Sequence, residues 1–229
     1  MNSLEVLKSI ENNIQQAINS RSTIPCTGPN VQIIGVSKTQ TIEDIQSFVN
    51  VGLNILGENH VQETQKKYEH IKNVNWHLIG HLQTNKAKDA VKLFDLIQSV
   101  DSERILLEIN KQAKKINKIQ NILLQVNISG EQSKFGIKPE EVLPLGNIAL
   151  QLSNVKLCGM MVIGPLTDDQ ELIRNTFRKG YELFENLKIL SQQCMYLSMG
   201  MSDDYMLAIQ EGSNMVRIGS KIFGKRVYK

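Results

Sequence analysis

The sequence has few cysteines, little net charge and no long apolar run, and each shortage excludes a class of protein. Its three cysteines, Cys26, Cys158 and Cys194, are odd in number and lack CxxC spacing, which argues against a disulfide framework or a zinc site. The net charge of +3 is too small to indicate nucleic-acid binding by itself. No run approaches the roughly 20 apolar residues that span a bilayer, and no basic segment followed by an apolar one marks a secretion signal. We therefore expect a cytoplasmic protein that binds neither membrane nor nucleic acid.

Short β-rich runs alternate with longer amphipathic runs along the whole chain. The predicted strands are 31–37, 54–57, 76–80, 94–99, 122–128, 155–163, 195–199 and 215–218. The predicted helices are 3–20, 41–51, 61–70, 85–92, 102–117, 139–152, 168–190 and 203–211. Strands that alternate with helices indicate a parallel sheet. Eight such strands in 229 residues, with no linker or composition break, predict one α/β domain spanning 1–229, a (β/α)₈ TIM barrel.

A lysine stands at the end of the first predicted strand. Functional groups of this fold gather at the carboxyl ends of the strands. Partial desolvation there would lower the pKa of Lys38 from about 10.4 and leave its amine able to attack a carbonyl. The alternative is a lysine that extends into solvent. Polar residues at five other predicted strand ends favour a site: they follow the strands at 57–59, 80–86, 127, 198–202 and 217–220.

Two of these ends have the composition of a phosphate site, because the loops after the seventh and eighth strands commonly bind phosphate in this fold. Gly200 and Gly219 would let backbone N–H groups approach phosphate oxygens, and Ser202 and Ser220 would add hydroxyl donors. The alternative for Ser202 is a turn and a helix N-cap. The two aspartates that follow Ser202 would repel a phosphate unless both point away.

Seven motifs, in order along nearly the whole chain, carry a resemblance to a known family. They are VSKT at 36–39, GENHVQE at 57–63, WHLIGHLQTNK at 76–86, QVNI at 125–128, EQSKFG at 131–136, LSMGMSDD at 197–204 and MVRIG at 215–219. Together they resemble the pyridoxal phosphate homeostasis protein family, whose members are relatives of the alanine racemase barrel. The resemblance implies a barrel like the N-terminal domain of alanine racemase, the fold-type III barrel of pyridoxal phosphate proteins.

The resemblance also implies a cofactor, pyridoxal 5′-phosphate, held as a Schiff base on Lys38. The phosphate would be contacted by residues 198–202 and 219–220, and Arg217 would face the pyridine nitrogen. The expected cofactor-binding residues are Lys38, Asn59, Ser198, Gly200, Met201, Ser202, Arg217, Gly219 and Ser220.

We expect this site to support little catalysis. Arg217 cannot accept a proton, so it would leave the pyridine nitrogen unprotonated and weaken the ring as an electron sink. Racemisation needs a second acid/base on the opposite face of the substrate, which in the related racemases is a tyrosine of a second domain. The roughly ten residues after the eighth predicted strand leave no room for such a domain. His81 either reaches the site or only hydrogen-bonds its own loop.

We therefore expect a monomer rather than a dimer, which holds pyridoxal 5′-phosphate inside the cell and buffers or delivers it without substantial turnover. Its recipients would be apo-enzymes that depend on the cofactor. One alternative is a weak amino-acid racemase or another pyridoxal-dependent enzyme. A second alternative, which rests on charge alone, is a basic protein that holds RNA or a partner through its lysine-rich helices.

Overall fold

The computed structural model shows a closed barrel of parallel strands surrounded by helices, and it describes residues 2–21, 25–131 and 133–224. Gln132, within one of the seven motifs, therefore falls outside the described residues. The strands are β1 (Gln32–Val36), β2 (Ile55–Glu58), β3 (Asn75–Leu78), β4 (Leu96–Val100), β5 (Gln120–Val126), β6 (Val155–Val162), β7 (Tyr196–Met201) and β8 (Met215–Ile218). The helices are α1 (Ser3–Asn19), α2 (Ile42–Val49), α3 (Val61–Tyr68), α4 (Ala87–Leu93), α5 (Glu103–Lys115), α6 (Val142–Leu150), α7 (Gln170–Leu190), α8 (Tyr205–Gln210) and α9 (Ser220–Phe223).

Pairing of the first and last strands closes the barrel. Gln32 of β1 lies opposite Met215 of β8, Gly35 lies opposite Ile218, and every other strand pairs with the next strand in the sequence. Because all strands are parallel, their carboxyl ends meet at one mouth of the barrel. The predicted (β/α)₈ barrel is confirmed. No helix in the described ranges is both long enough and apolar enough to cross a membrane.

The ends of some helices differ from the predicted ones. Thr41 caps α2 as its sequence indicates, because its hydroxyl accepts a hydrogen bond from the N–H of Asp44. The N-cap alternative for Ser202 is wrong: Asp204 precedes α8, and the Ser202 hydroxyl instead accepts a hydrogen bond from the N–H of Gly219 at 3.2 Å. Helix α9 was not predicted, since four residues carry no detectable periodicity.

Successive residues on each strand face opposite sides of the barrel wall. The inward positions form a small apolar cluster of Ile34, Ile55, Leu96, Leu123, Cys158, Met161 and Met215. The positions between them, such as Leu56 and Leu124, join the larger core between barrel and helices. Every second residue of a strand faces the same side of the wall. Lys38 lies four positions after inward-facing Ile34, and Asn59 lies four positions after inward-facing Ile55, so both face the inner side of the barrel mouth.

A chain of buried polar side chains crosses the barrel interior. Gln98 Nε2 is 3.0 Å from His77 Nδ1, Ser198 Oγ donates to Gln98 Oε1 at 2.8 Å, and Arg217 Nη1 donates to Ser198 Oγ at 2.8 Å. Because the Gln98 amide nitrogen can only donate, His77 Nδ1 accepts and the imidazole is neutral. Burial lowers the pKa of His77 to about 3.

Replacing His77 with asparagine is expected to flatten the fall in stability towards acid pH. Between the folded-state pKa of about 3 and the ordinary value of about 6.5, the unfolded chain binds the proton and the folded chain does not. Stability is therefore lost as pH falls below 6.5, and this one residue should contribute a loss of roughly 1.6 kcal/mol between pH 6.5 and pH 5. Urea unfolding at the two pH values measures that difference.

The matched control is His70→Asn, since His70 is exposed and its replacement should leave the wild-type pH dependence intact. A His77→Asn variant with the same loss between pH 6.5 and pH 5 as the wild type would show that this histidine is not the group responsible.

Candidate functional site

A cavity of about 530 Å³ opens at the carboxyl ends of the strands, and seven of the nine expected residues line it. These are Lys38, Asn59, Met201, Ser202, Arg217, Gly219 and Ser220. They come from the ends of four strands that are spread along the sequence, and the barrel closure brings them together. The volume lies within the range of small-molecule sites, roughly 300–1,000 Å³.

Lys38 lies two residues beyond the end of β1, is half-buried and lines the cavity. The N–H of the preceding Ser37 donates to the carbonyl of Gly57 on β2, which continues the strand pairing up to the lysine. The following residue, Thr39, has a φ of +66°, so the chain turns away from the barrel wall immediately after Lys38.

Arg217 lies at the inner end of the cavity and is only 4% exposed. Its Nη1 donates to the carbonyl and to the hydroxyl of Ser198 at 2.9 and 2.8 Å, and its Nη2 donates to the carbonyl of Val162 at 2.8 Å. Burial lowers the pKa of Arg217 to about 10, and the Asp204 carboxylate opposes that shift. The guanidinium is therefore cationic at neutral pH and fixed in place by β6 and β7.

Two of the expected residues lie behind the cavity wall. Ser198 is fully buried, and its hydroxyl is already bonded to Gln98 and Arg217. Gly200 has a φ of +90°, and a Cβ there would lie 2.6 Å from Ala208 Cβ and 2.8 Å from Tyr205 Cα. In this structure Ser198 supports Arg217, and Gly200 lets α8 pack closely against β7. Direct contact of these two residues with a phosphate stays a prediction.

Two backbone donors expected in the phosphate site already have partners in the protein. The N–H of Met201 donates to Asp204 Oδ1 at 2.5 Å, and the N–H of Gly219 donates to Ser202 Oγ at 3.2 Å. Asp204 is buried and turned inward, and burial raises the pKa of its carboxyl. Asp203, in contrast, is exposed and lines the cavity, so only one of the two aspartates points away.

Sequence reasoning missed part of the cavity wall, most notably its apolar side. The additional lining residues are Val36, Gln40, Ile79, Met161, Ile163, Asp203 and Gly224. The alternation of strand residues could have found two of them, because Ile79 lies two positions beyond inward-facing His77, and Ile163 lies two positions beyond inward-facing Met161.

A second cavity of about 530 Å³ adjoins the first and shares Asn59, Ile79 and Ile163 with it. His81 lines this second cavity. Its Nδ1 lies 2.7 Å from Asp101 Oδ2, and its ring stacks on Phe135 with the centroids 3.9 Å apart. His81 therefore bonds across the rim to the residue that follows β4 and does not line the cavity that contains Lys38. No group of three or more potential metal-ligating side chains occurs in the part of the chain that the structure describes.

Comparison with known proteins first defines the class. The family model for the N-terminal domain of alanine racemase matches residues 7–227. An alanine racemase of Clostridium difficile 630 superposes with a TM-score of 0.72 at 16% identity, over 95% of this chain and 58% of that one. That likeness is one of fold, and the barrel with its carboxyl-end cavity is of the alanine racemase N-terminal-domain class.

More similar proteins narrow the class to a family. A pyridoxal phosphate homeostasis protein of Aquifex aeolicus is 42% identical over 232 aligned residues, which cover 100% of both chains, and one of Pasteurella multocida is 40% identical over 97% of each. PipY of Synechococcus elongatus, solved with PLP bound, is 33% identical with a TM-score of 0.78, over 92% of this chain and 100% of that one. The chain belongs to the pyridoxal phosphate homeostasis protein family.

Proposed function

We propose that the protein binds pyridoxal 5′-phosphate in the cavity that contains Lys38, holds it as a Schiff base on that lysine, and buffers or delivers it to apo-enzymes. One observation carries the proposal: a lysine, a buried arginine and two serine-bearing loops converge on a single cavity of small-molecule size. The relatives described as pyridoxal phosphate homeostasis proteins, and the PipY structure with PLP bound, agree with this ligand.

The residues of the cavity fit the parts of the cofactor. Ser202, Gly219 and Ser220, together with Met201, border the end of the cavity proposed for the phosphate. The apolar side chains on the opposite strands are suited to a flat ring, and Asn59 adds a polar group between them. When bound, the cofactor supplies an aldehyde carbon for the lysine amine and an electron-withdrawing ring.

Arg217 is proposed to face the pyridine nitrogen. Three hydrogen bonds to Ser198 and Val162 hold its guanidinium, which is cationic at neutral pH and cannot accept a proton. It would leave the ring nitrogen unprotonated and would not stabilise a negative charge developing on the substrate carbon. Among the described residues that line the cavity there is no tyrosine or histidine to act as an opposing acid/base. We therefore propose retention of the cofactor without substantial turnover, rather than racemisation.

The cofactor-loaded protein is expected to leave the α-hydrogen of alanine essentially unexchanged in D₂O. A single lysine can move a proton on one face only, which prevents racemisation, and the weak electron sink slows loss of the α-hydrogen, so neither racemisation nor exchange should approach enzymatic rates. Proton NMR of the α-position, with chiral chromatography of the product, measures both.

Free pyridoxal 5′-phosphate at the same concentration is the control for exchange that the cofactor catalyses alone. Exchange with accumulation of D-alanine at about 1–1000 turnovers per second would contradict the proposal and establish the racemase alternative.

A further inference from the structure

A group of buried charged side chains lies directly behind Lys38, on the helix side of the barrel wall. We call it the Lys67 network: the side chains of Ser37, Glu58, Glu63 and Lys67, with the backbone N–H of Thr39. Ser37 and Glu58 are fully buried, and Lys67 on α3 is 6% exposed. None of the network's side chains lines the cavity. The function proposed above assigns no role to this network.

Lys67 is the centre of the network. Its Nζ donates to the Ser37 carbonyl at 2.7 Å, to Glu58 Oε1 at 2.8 Å and to Glu63 Oε1 at 2.7 Å. These three bonds use all three protons of the ammonium group. Lysine and glutamate are almost never fully buried unless they are paired. Burying these charges costs desolvation free energy, which the ion pairs and hydrogen bonds offset only in a well-defined geometry.

The network bonds to the chain on both sides of Lys38. On one side, Lys67 holds the carbonyl of Ser37, and the Ser37 hydroxyl donates to Glu58 Oε1 at 2.7 Å. On the other side, the N–H of Thr39 donates to Glu63 Oε1 at 2.5 Å. Thr39 has a φ of +66°, which is unfavourable for a β-branched residue, and its bond to Glu63 stabilises the turn.

The charges of the network depend on one another. Burial raises the pKa of Glu58, and Lys67 opposes that shift. Burial alone would raise the pKa of Glu63, but the hydrogen bonds from Lys67 and Thr39 outweigh it and lower the pKa. Glu58 Oε2 is buried and has no hydrogen-bond partner within the described residues, so Glu58 relies on Lys67 and Ser37 through its other oxygen.

We infer that Lys67, with Glu58 and Glu63, is a positioning group for Lys38: by fixing the backbone before and after the lysine, it directs the amine into the cavity. The inference rests on the proposed Schiff base at Lys38. It predicts that the network affects formation of the covalent bond and has little effect on the contacts that hold the phosphate and the ring.

Two ligands separate these effects. Pyridoxal 5′-phosphate carries the aldehyde that bonds to the lysine, whereas pyridoxine 5′-phosphate carries an alcohol in its place and cannot form an imine. In Lys67→Met, affinity for the aldehyde should fall about tenfold or more, while affinity for the alcohol should stay within about twofold. Lys66→Met is the matched control, because Lys66 is the exposed neighbour on α3 and should affect neither affinity.

Glu63→Ala is the second variant, in case the first does not fold. Glu63 is less buried than Glu58, and its loss frees the N–H of Thr39 while the Lys67–Glu58 pair stays in place. Aldehyde affinity should again fall more than alcohol affinity, and circular dichroism checks the fold of each variant. Equal changes in both affinities, or no change, in the folded variants would overturn the positioning role. A wild type that binds aldehyde and alcohol equally would instead overturn the Schiff base itself, and the inference with it.

Discussion

Replacing Lys38 with alanine is expected to abolish covalent retention of pyridoxal 5′-phosphate and to weaken its binding at least about a hundredfold. The variant lacks the amine that forms the imine. A hundredfold loss of affinity corresponds to roughly 3 kcal/mol of binding free energy. Arg217, Ser202 and Ser220 still line the cavity, so weak, reversible binding should persist. Equilibrium titration followed by ligand absorbance gives the affinity, and gel filtration after reduction with borohydride shows whether any ligand stays attached.

Lys86→Ala is the control for loss of a lysine near the mouth. Lys86 lines the adjoining cavity and not the one that contains Lys38, so its replacement should leave covalent retention unchanged. If Lys38→Ala retained the cofactor as tightly and as covalently as the wild type, the proposed site would be wrong.

Gly200→Ala is expected to lower the free energy of unfolding by about 2–5 kcal/mol, a large part of the 5–15 kcal/mol typical of a domain. A φ of +90° is strained for alanine, by roughly 1–2 kcal/mol. The new Cβ would also lie 2.8 Å from Tyr205 Cα, and backbone in a packed helix moves only at a further cost of roughly 1–3 kcal/mol. Urea denaturation of the two proteins at neutral pH measures the difference.

Gly52→Ala separates the two causes. Gly52 has a φ of +113°, but a Cβ there meets nothing within 4 Å in the described structure. It should show the backbone strain without the clash and therefore a smaller loss. Equal stability of Gly200→Ala and the wild type would contradict the close packing of α8 against β7.

Much of the fold and part of the site follow from local sequence patterns. The eight strands are visible as short apolar runs between amphipathic ones, and the order of β and α elements indicates a closed parallel barrel. Lys38 and the Gly219–Ser220 pair could be assigned to one site from the sequence, because the carboxyl ends of all the parallel strands meet at one mouth of the barrel. The apolar wall was missed, although the two-residue alternation that runs from His77 to Ile79 contains the information.

Other features depend on contacts between residues that are distant in the sequence, so local sequence patterns could not predict them. Ser198 looks like any other strand-end serine until β4 and β8 bring Gln98 and Arg217 to its hydroxyl. Glu63 and Lys67 have the spacing of an ordinary surface ion pair on a helix. Only the packing of α3 against β2 buries Lys67 beside Glu58 and makes it part of the wall behind Lys38.

The most direct test of the central claim is to locate the covalent bond. The purified protein would be saturated with pyridoxal 5′-phosphate, reduced with borohydride, digested, and mapped by mass spectrometry. We predict one phosphopyridoxyl group per chain, on the peptide that contains Lys38. Reproducible labelling of another lysine, such as Lys86 or Lys134, with none on Lys38 would contradict the proposed function.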